Sequence, residues 1–215
     1  MALQNRVAPD GTIFADPARG TFMGNRGGKM HDGAKRLTTR RWVSKQWIAC
    51  ALSYKDHHET MMAPGRYTQL FFLDEATALA AGHRPCALCR RPDFLRFTEH
   101  WRQLRGLASR PLVADIDPRL HAERIDHSRE KKIFTARLGD LPDGAMLTLD
   151  DDGIWLLHRK SLRQWSASGY GATINTAPAR QVRVLTPPSI VAVIAAGYAP
   201  MLHDSARSMS AAKST

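Results

Sequence analysis

The chain has 215 residues, 43% of them hydrophobic, and its 31 lysines and arginines against 20 aspartates and glutamates leave a formal charge of +11. That length and apolar content suffice to bury a core without disulfide support, in one large domain or two small ones. The longest apolar run, Ile190 to Ala196, is too short to cross a bilayer, no secretory leader is visible, and three cysteines are too few for a disulfide scaffold; a cytoplasmic protein that attracts polyanions, nucleic acid above all, is expected.

Residues 9 to 36 hold six of the fifteen glycines, so turns rather than regular structure are expected there. Within them, Gly24-Asn25-Arg26-Gly27-Gly28-Lys29 is not a P-loop, because Met23 and Met30 stand where that motif needs Gly and Ser or Thr. Its backbone N–H groups, with Arg26 or Lys29, still suit a phosphate contact, and an ordinary surface loop is the alternative. From Arg41 to Tyr54, β-branched and aromatic residues predict one or two strands, with Cys50 on the face of Ile48 and Leu52. A polar, mobile stretch at 55–59 precedes another short strand within Tyr67 to Phe72.

Asp74 is a good N-cap for an alanine-rich helix that Gly82 ends. The chain then turns through His83-Arg84-Pro85 into Cys86-Ala87-Leu88-Cys89-Arg90-Arg91, and a second helix starts at Pro92-Asp93. Phe94, Phe97, Trp101 and Leu104 recur at helical spacing and form its core stripe as far as Gly106. Two prolines in 108 to 118 suggest a linker. Beyond it, Ala145 to Leu149 and Ile154 to His158 bracket Asp150-Asp151-Asp152-Gly153, a hairpin signal. Val182 to Leu185 is a further strand. Thr186 caps a last helix with Pro187 at its first position, Gly197 ends that helix, and the tail is flexible. These elements make an α+β protein with a division into 1–110, 111–205 and a 206–215 tail.

Cys86 and Cys89 carry the sharpest chemical signal. A two-residue gap lets both thiolates reach one tetrahedral ion, most often zinc. A redox dithiol opening a helix after a strand is the competing reading, and inert thiols are the third. Cys50 is the natural third ligand, or else a small buried hydrophobe. The fourth position falls to His57, His58, His31, His83 or solvent. Four protein ligands would mark a structural zinc and three plus water a reactive one. Three arginines flank the pair, and these, Arg84, Arg90 and Arg91, join Arg26 and Lys29 as candidate contacts to DNA phosphates.

A second constellation is Leu120-His121-Ala122-Glu123-Arg124-Ile125-Asp126-His127. On a strand His121, Glu123 and His127 would share a face and could bind metal or shuttle protons; on a helix they would diverge. Lys131 and Lys132 beside it could touch phosphate. The pair His31-Asp32 is either catalytic or part of a turn. The five tryptophans are assigned to core packing before base stacking.

The run from Phe71 through Gly82-His83-Arg84-Pro85-Cys86-Ala87-Leu88-Cys89-Arg90 resembles the second half of the Ada-type zinc domain, the N-terminal module of bacterial methylphosphotriester repair proteins. Trp47-Ile48-Ala49-Cys50 is similar to that domain's earlier strand, and the likeness covers about residues 42 to 105. It implies an Ada-like zinc knuckle with short strands and two helices, with Cys50, Cys86 and Cys89 as ligands and Cys50 at the nucleophile's position. It departs where Tyr54 stands in place of the family's second cysteine. The sequence thus leads to a zinc-binding DNA-interacting protein in DNA repair or modification, in which Cys50, His121 and Glu123 are the candidate catalytic residues and His57 the candidate fourth ligand. A DNA-binding regulator with a structural zinc, or an enzyme on a small anionic substrate, are the alternatives.

Overall fold

The structure, a computed structural model, describes residues 2–55, 60–149 and 153–207. Among the described residues, four α-helices and two six-stranded sheets make it an α+β protein, as the sequence pattern predicts. The first sheet is built from β1 (Gln4–Val7), β2 (Ile13–Ala15), β3 (Phe22–Asn25), β4 (Ile48–Cys50), β5 (Leu70–Phe72) and β6 (Arg84–Pro85), in the order β2-β1-β5-β3-β4-β6. The glycine-rich segment therefore supplies two strands, where turns were expected. Gly24 explains why: a Cβ there would lie 2.2 Å from the Ile48 carbonyl oxygen of β4, so the glycine permits close strand pairing. The expected strand from Arg41 to Tyr54 contracts to β4, because Val43 and Ser44 direct their N–H groups to the Arg26 carbonyl in a loop.

Helix α1 (Glu75–Ala80) follows β5 directly and is buried along its whole length. Its N-cap is Asp74, whose carboxylate accepts from the Thr77 N–H and hydroxyl and, on the other oxygen, from the Tyr170 hydroxyl and the His203 N–H. Gly82 ends the turn after α1 with φ of +87°, and a Cβ there would stand 2.5 Å from Arg124 Cδ. Helix α2 (Arg91–Leu104) buries Phe94, Phe97 and Trp101, whereas Leu104 is exposed. Helix α3 (Val113–Arg124) replaces much of the expected linker. Its interior Pro118 forfeits a hydrogen bond at about 3 kcal/mol. Full burial of Ile116 and Leu120, worth about 3–6 kcal/mol together, outweighs that loss.

The second sheet is antiparallel, β11-β10-β9-β8-β12-β7, from β7 (Phe134–Arg137), β8 (Met146–Thr148), β9 (Ile154–His158), β10 (Ser161–Ser166), β11 (Gly169–Ile174) and β12 (Gln181–Val184). Strands β8 and β9 form the expected pairing, while Asp150 to Asp152 lie outside the described residues. Helix α4 (Pro188–Ala195) starts one residue later than Thr186 and Pro187 suggested. The tail beyond 207 also falls outside the described residues. One core cluster joins Leu79 of α1 and Phe97 and Trp101 of α2 to Ile116 and Leu120 of α3 and to Ile190 and Val193 of α4. Another joins Leu73, Ala76 and Ala80 to Met146, Leu156, Tyr170 and Ala206. Helix α1 thus has one face against the helices and another against the second sheet.

Because Asp74 caps α1 and ties it to Tyr170 and His203, Asp74→Ala should destabilise the protein by about 3–4 kcal/mol in urea unfolding. A loss under about 1 kcal/mol would mean that these bonds do not anchor the helix.

Candidate metal centre

Strand β4 runs parallel to β6, with Ile48 beside Arg84 and Ala49 beside Pro85. The Cys86 N–H continues that ladder to the Ala49 carbonyl at 2.9 Å. This pairing brings Cys50, at the end of β4, alongside the turn that carries Cys86 and Cys89. All three Sγ atoms lie within 4.8 Å of one another, and all three thiols are free. At a metal–sulfur distance of about 2.3 Å, tetrahedral geometry sets the sulfurs roughly 3.8 Å apart, which falls inside that limit. Cys86 and Cys89 do follow a short strand and precede a helix, the setting of the redox reading. The third sulfur distinguishes the site, because a dithiol needs two and an ion can use all three.

Backbone donors line the cluster. The Leu88 N–H points to Cys86 Sγ at 3.4 Å, and the Ala51 N–H donates to Cys89. Hydrogen bonds from Cys50 and Cys89 draw the Cys86 thiol to about 2, whereas hydrogen bonding to Cys86 and Cys89, followed by burial, pushes Cys50 upward. Three sulfurs this close oppose one another's ionisation, and a cation between them would favour it. Cys50 and Cys86 are buried, and Cys89 is the more accessible sulfur. Among the described residues this is the one group of three or more His, Cys, Asp or Glu side chains arranged to hold an ion. His57 and His58 lie outside the described residues.

The other expected ligands and catalytic groups go elsewhere. His83 is fully buried between Phe72 and Trp47 and accepts from Arg26 Nε at 3.4 Å; burial first, then the Arg26 charge, holds it neutral. His31 is buried against the Thr68 hydroxyl at 2.8 Å and the Ala63 carbonyl. His121 and Glu123 do not form a strand face, because they sit two residues apart on α3 and so point in divergent directions. His121 packs on Trp42 and Trp47, while Glu123 binds Arg119 and both the N–H and hydroxyl of Ser189. Glu123 thus acts as a clamp for the first turn of α4.

The proposed phosphate contacts also divide. Arg84 is buried in a two-bond ion pair with Asp117 at 2.7 and 2.8 Å, and Arg90 is buried against Glu75 at 2.7 Å and Asp93 at 2.8 Å. Arg26 is buried as well, with its guanidinium stacked on Trp47. Arg84 and Arg90 are taken up by carboxylates inside the fold, which corrects their assignment to DNA, and Arg26 lies in the wall of a cleft and not on the outer surface. Arg91 and Lys29 remain exposed. Tyr54, at the position where the resemblance has a cysteine, is half-buried. Comparison with family models, characterised proteins and solved structures finds no match to this chain.

The purified protein is expected to retain one metal equivalent per chain, with its three thiols unreactive toward Ellman's reagent until a chelator is added. Equal thiol reactivity with and without chelator would show that the sulfurs hold no ion.

Proposed function

We propose that Cys50, Cys86 and Cys89 hold a zinc ion and that the protein binds DNA, acting in its repair or modification. The convergence of three sulfurs from β4 and the Cys86–Cys89 turn carries this reading. When bound, zinc keeps thiolates deprotonated at neutral pH and sets a positive charge beside them. The residues supply the rest: the β4–β6 ladder fixes the spacing of Cys50 and Cys86, and N–H groups of Leu88 and Ala51 stabilise the sulfur charge. The burial of Cys50 supports a fold-holding role for its sulfur over the nucleophile's role that the family resemblance suggests.

The charge of +11 supports DNA as partner, along with exposed Arg91 at the head of α2 and the exposed cations Lys29, Arg36, Arg40 and Arg41. Such side chains contact phosphates without reading sequence. Whether zinc serves chemistry or the fold is decided by what its removal does. A structural ion takes the fold with it, whereas an ion with an open position leaves a folded, inactive protein.

Fluorescence anisotropy with labelled DNA over a salt series should show log K falling linearly with log salt, and Arg91→Ala should flatten the slope by about 1. DNA affinity that is absent, or indifferent to salt, overturns the partner. In parallel, zinc chelation or Cys50→Ser followed by circular dichroism should lose the folded signal together with DNA binding. Retention of both would remove zinc from the fold.

A further inference from the structure

A cavity of about 560 Å³ opens at the end of β4 opposite Cys50, between the loop that follows β3 and the chain that leaves α3. Its walls include Arg26, Arg41, Arg124, Arg129 and Lys131, against two carboxylates, Asp10 and Glu130. Arg26 and Arg124 are 2% and 0% exposed, and their guanidinium carbons lie 3.9 and 4.0 Å from the centre of the Trp47 ring. Buried charges are ordinarily paired with opposite ones. Here Arg26 donates to the carbonyls of Gly11 and Arg41, Arg124 to those of Gly82 and Lys45, and half-buried Lys131 to that of Ala80. Among the described residues none of the three has a carboxylate within ion-pair distance.

Two donors on the same wall have no acceptor. Arg124 Nε and Trp47 Nε1 are buried and without hydrogen-bond partners among the described residues. The electrostatics agree with the geometry. Burial, more than any neighbour, lowers Arg26 to about 9 and Lys131 to about 7, and each also feels the other cations. Asp10 raises both, but its Oδ1 is already an acceptor for the Thr12 N–H; Glu130 is exposed to solvent. His83 and His121 behind the wall are held neutral, so neither adds a compensating or competing charge.

We propose that this cleft binds a phosphate-type oxyanion between Arg26, Arg124 and Lys131, with Arg41 and Arg129 at its mouth. Three clustered cations suit a multiply charged phosphate better than a single carboxylate, and planar guanidiniums match its oxygens. The volume falls in the range of small-ligand sites, and half-buried Trp42 offers an aromatic wall to whatever the phosphate carries. Trp47 is separated from Cys50 by the length of β4, roughly 10 Å, so the anion site is separate from the sulfurs. It stands whether or not the protein binds DNA.

Isothermal titration of the full-length protein with inorganic pyrophosphate at about 0.15 M salt tests this, because exposed charges are screened there beyond about 8 Å. One saturable site per chain is expected, weakened about tenfold by Lys131→Gln and by Arg41→Ala with Arg129→Ala, and unchanged by Arg96→Ala on the exposed side of α2. The exposed double variant keeps the test valid should Lys131→Gln fail to fold. Two further arms separate the sources of the phosphate: adenosine monophosphate and a short single-stranded oligonucleotide at matched phosphate concentration. Tighter binding of the mononucleotide identifies a small phosphorylated ligand, and tighter binding of the oligonucleotide identifies a nucleic-acid strand. No saturable binding of any probe, or binding indifferent to the cleft substitutions, overturns the proposal.

Discussion

Two buried carboxylates at the head of α1 connect most of the molecule. Asp74 and Glu75 are both almost fully covered, which would be costly were either left without donors. Asp74 takes the α1 cap, Tyr170 of the second sheet and the His203 backbone; Glu75 takes Arg90 beside the sulfur turn, the Tyr198 hydroxyl and the Met201 N–H. The two residues thus join the cysteine turn, the second sheet and the segment after α4 to one helix terminus. Burial raises the Tyr170 hydroxyl, and after burial the adjacent carboxylate raises it further, so both tyrosines remain neutral donors. A carboxylate with three or four donors in a dry site fixes geometry more tightly than apolar contact can. The position of Arg90, and through it the turn after Cys89, follows from Glu75.

The β4–β6 pair does comparable work for the two candidate sites. It is short, with three residues against two, yet its ends differ completely in chemistry. At one end Cys50 and Cys86 bring sulfur together. At the other, Trp47 and His83 pack at 5.1 Å with their rings tilted by 38°, under Arg26 and Arg124. A metal at the first end and an anion at the second would each bind the same small ladder. Register is then shared: a slip by one residue would separate the sulfurs and also move Trp47 away from the two guanidiniums.

What the sequence made legible was local. Asp74, Gly82 and the Cys86–Cys89 spacing lie within sixteen residues and specify cap, turn and knuckle by their own chemistry. The strands that escaped depend on partners far along the chain. Gly24 reads as a turn residue until Ile48 is seen to lie against it. The turn between β9 and β10 uses Arg159 and Lys160 at φ of +50° and +63°, without the Asn or Gly that usually announces such a hairpin. Helix α3 was masked by Pro118, and with it the true geometry of His121 and Glu123. The arginines flanking the cysteines were misread because charge in a sequence carries no information about depth. Arg84 meets Asp117 33 residues away and Arg90 meets Glu75 15 residues away, distances over which no periodic pattern operates.

That misreading bears on the charge itself. A surplus of eleven positive charges suggests a basic surface, but Arg26, Arg84, Arg90 and Arg124 are all interior. Arg84 and Arg90 are neutralised by carboxylates and contribute nothing to the outside field. Arg26 and Arg124 have no carboxylate at ion-pair distance among the described residues; backbone carbonyls and the Trp47 face solvate them, Arg124 Nε is left without an acceptor, and the net charge stands. In a low-dielectric wall that charge acts at longer range than it would on the surface. The excess therefore divides into a screened exterior part, suited to polyanion encounter, and a concentrated interior part that faces one cleft. The second part specifies a guest more sharply than the first, because a guest that enters the cleft replaces missing counter-charge and not merely mobile salt.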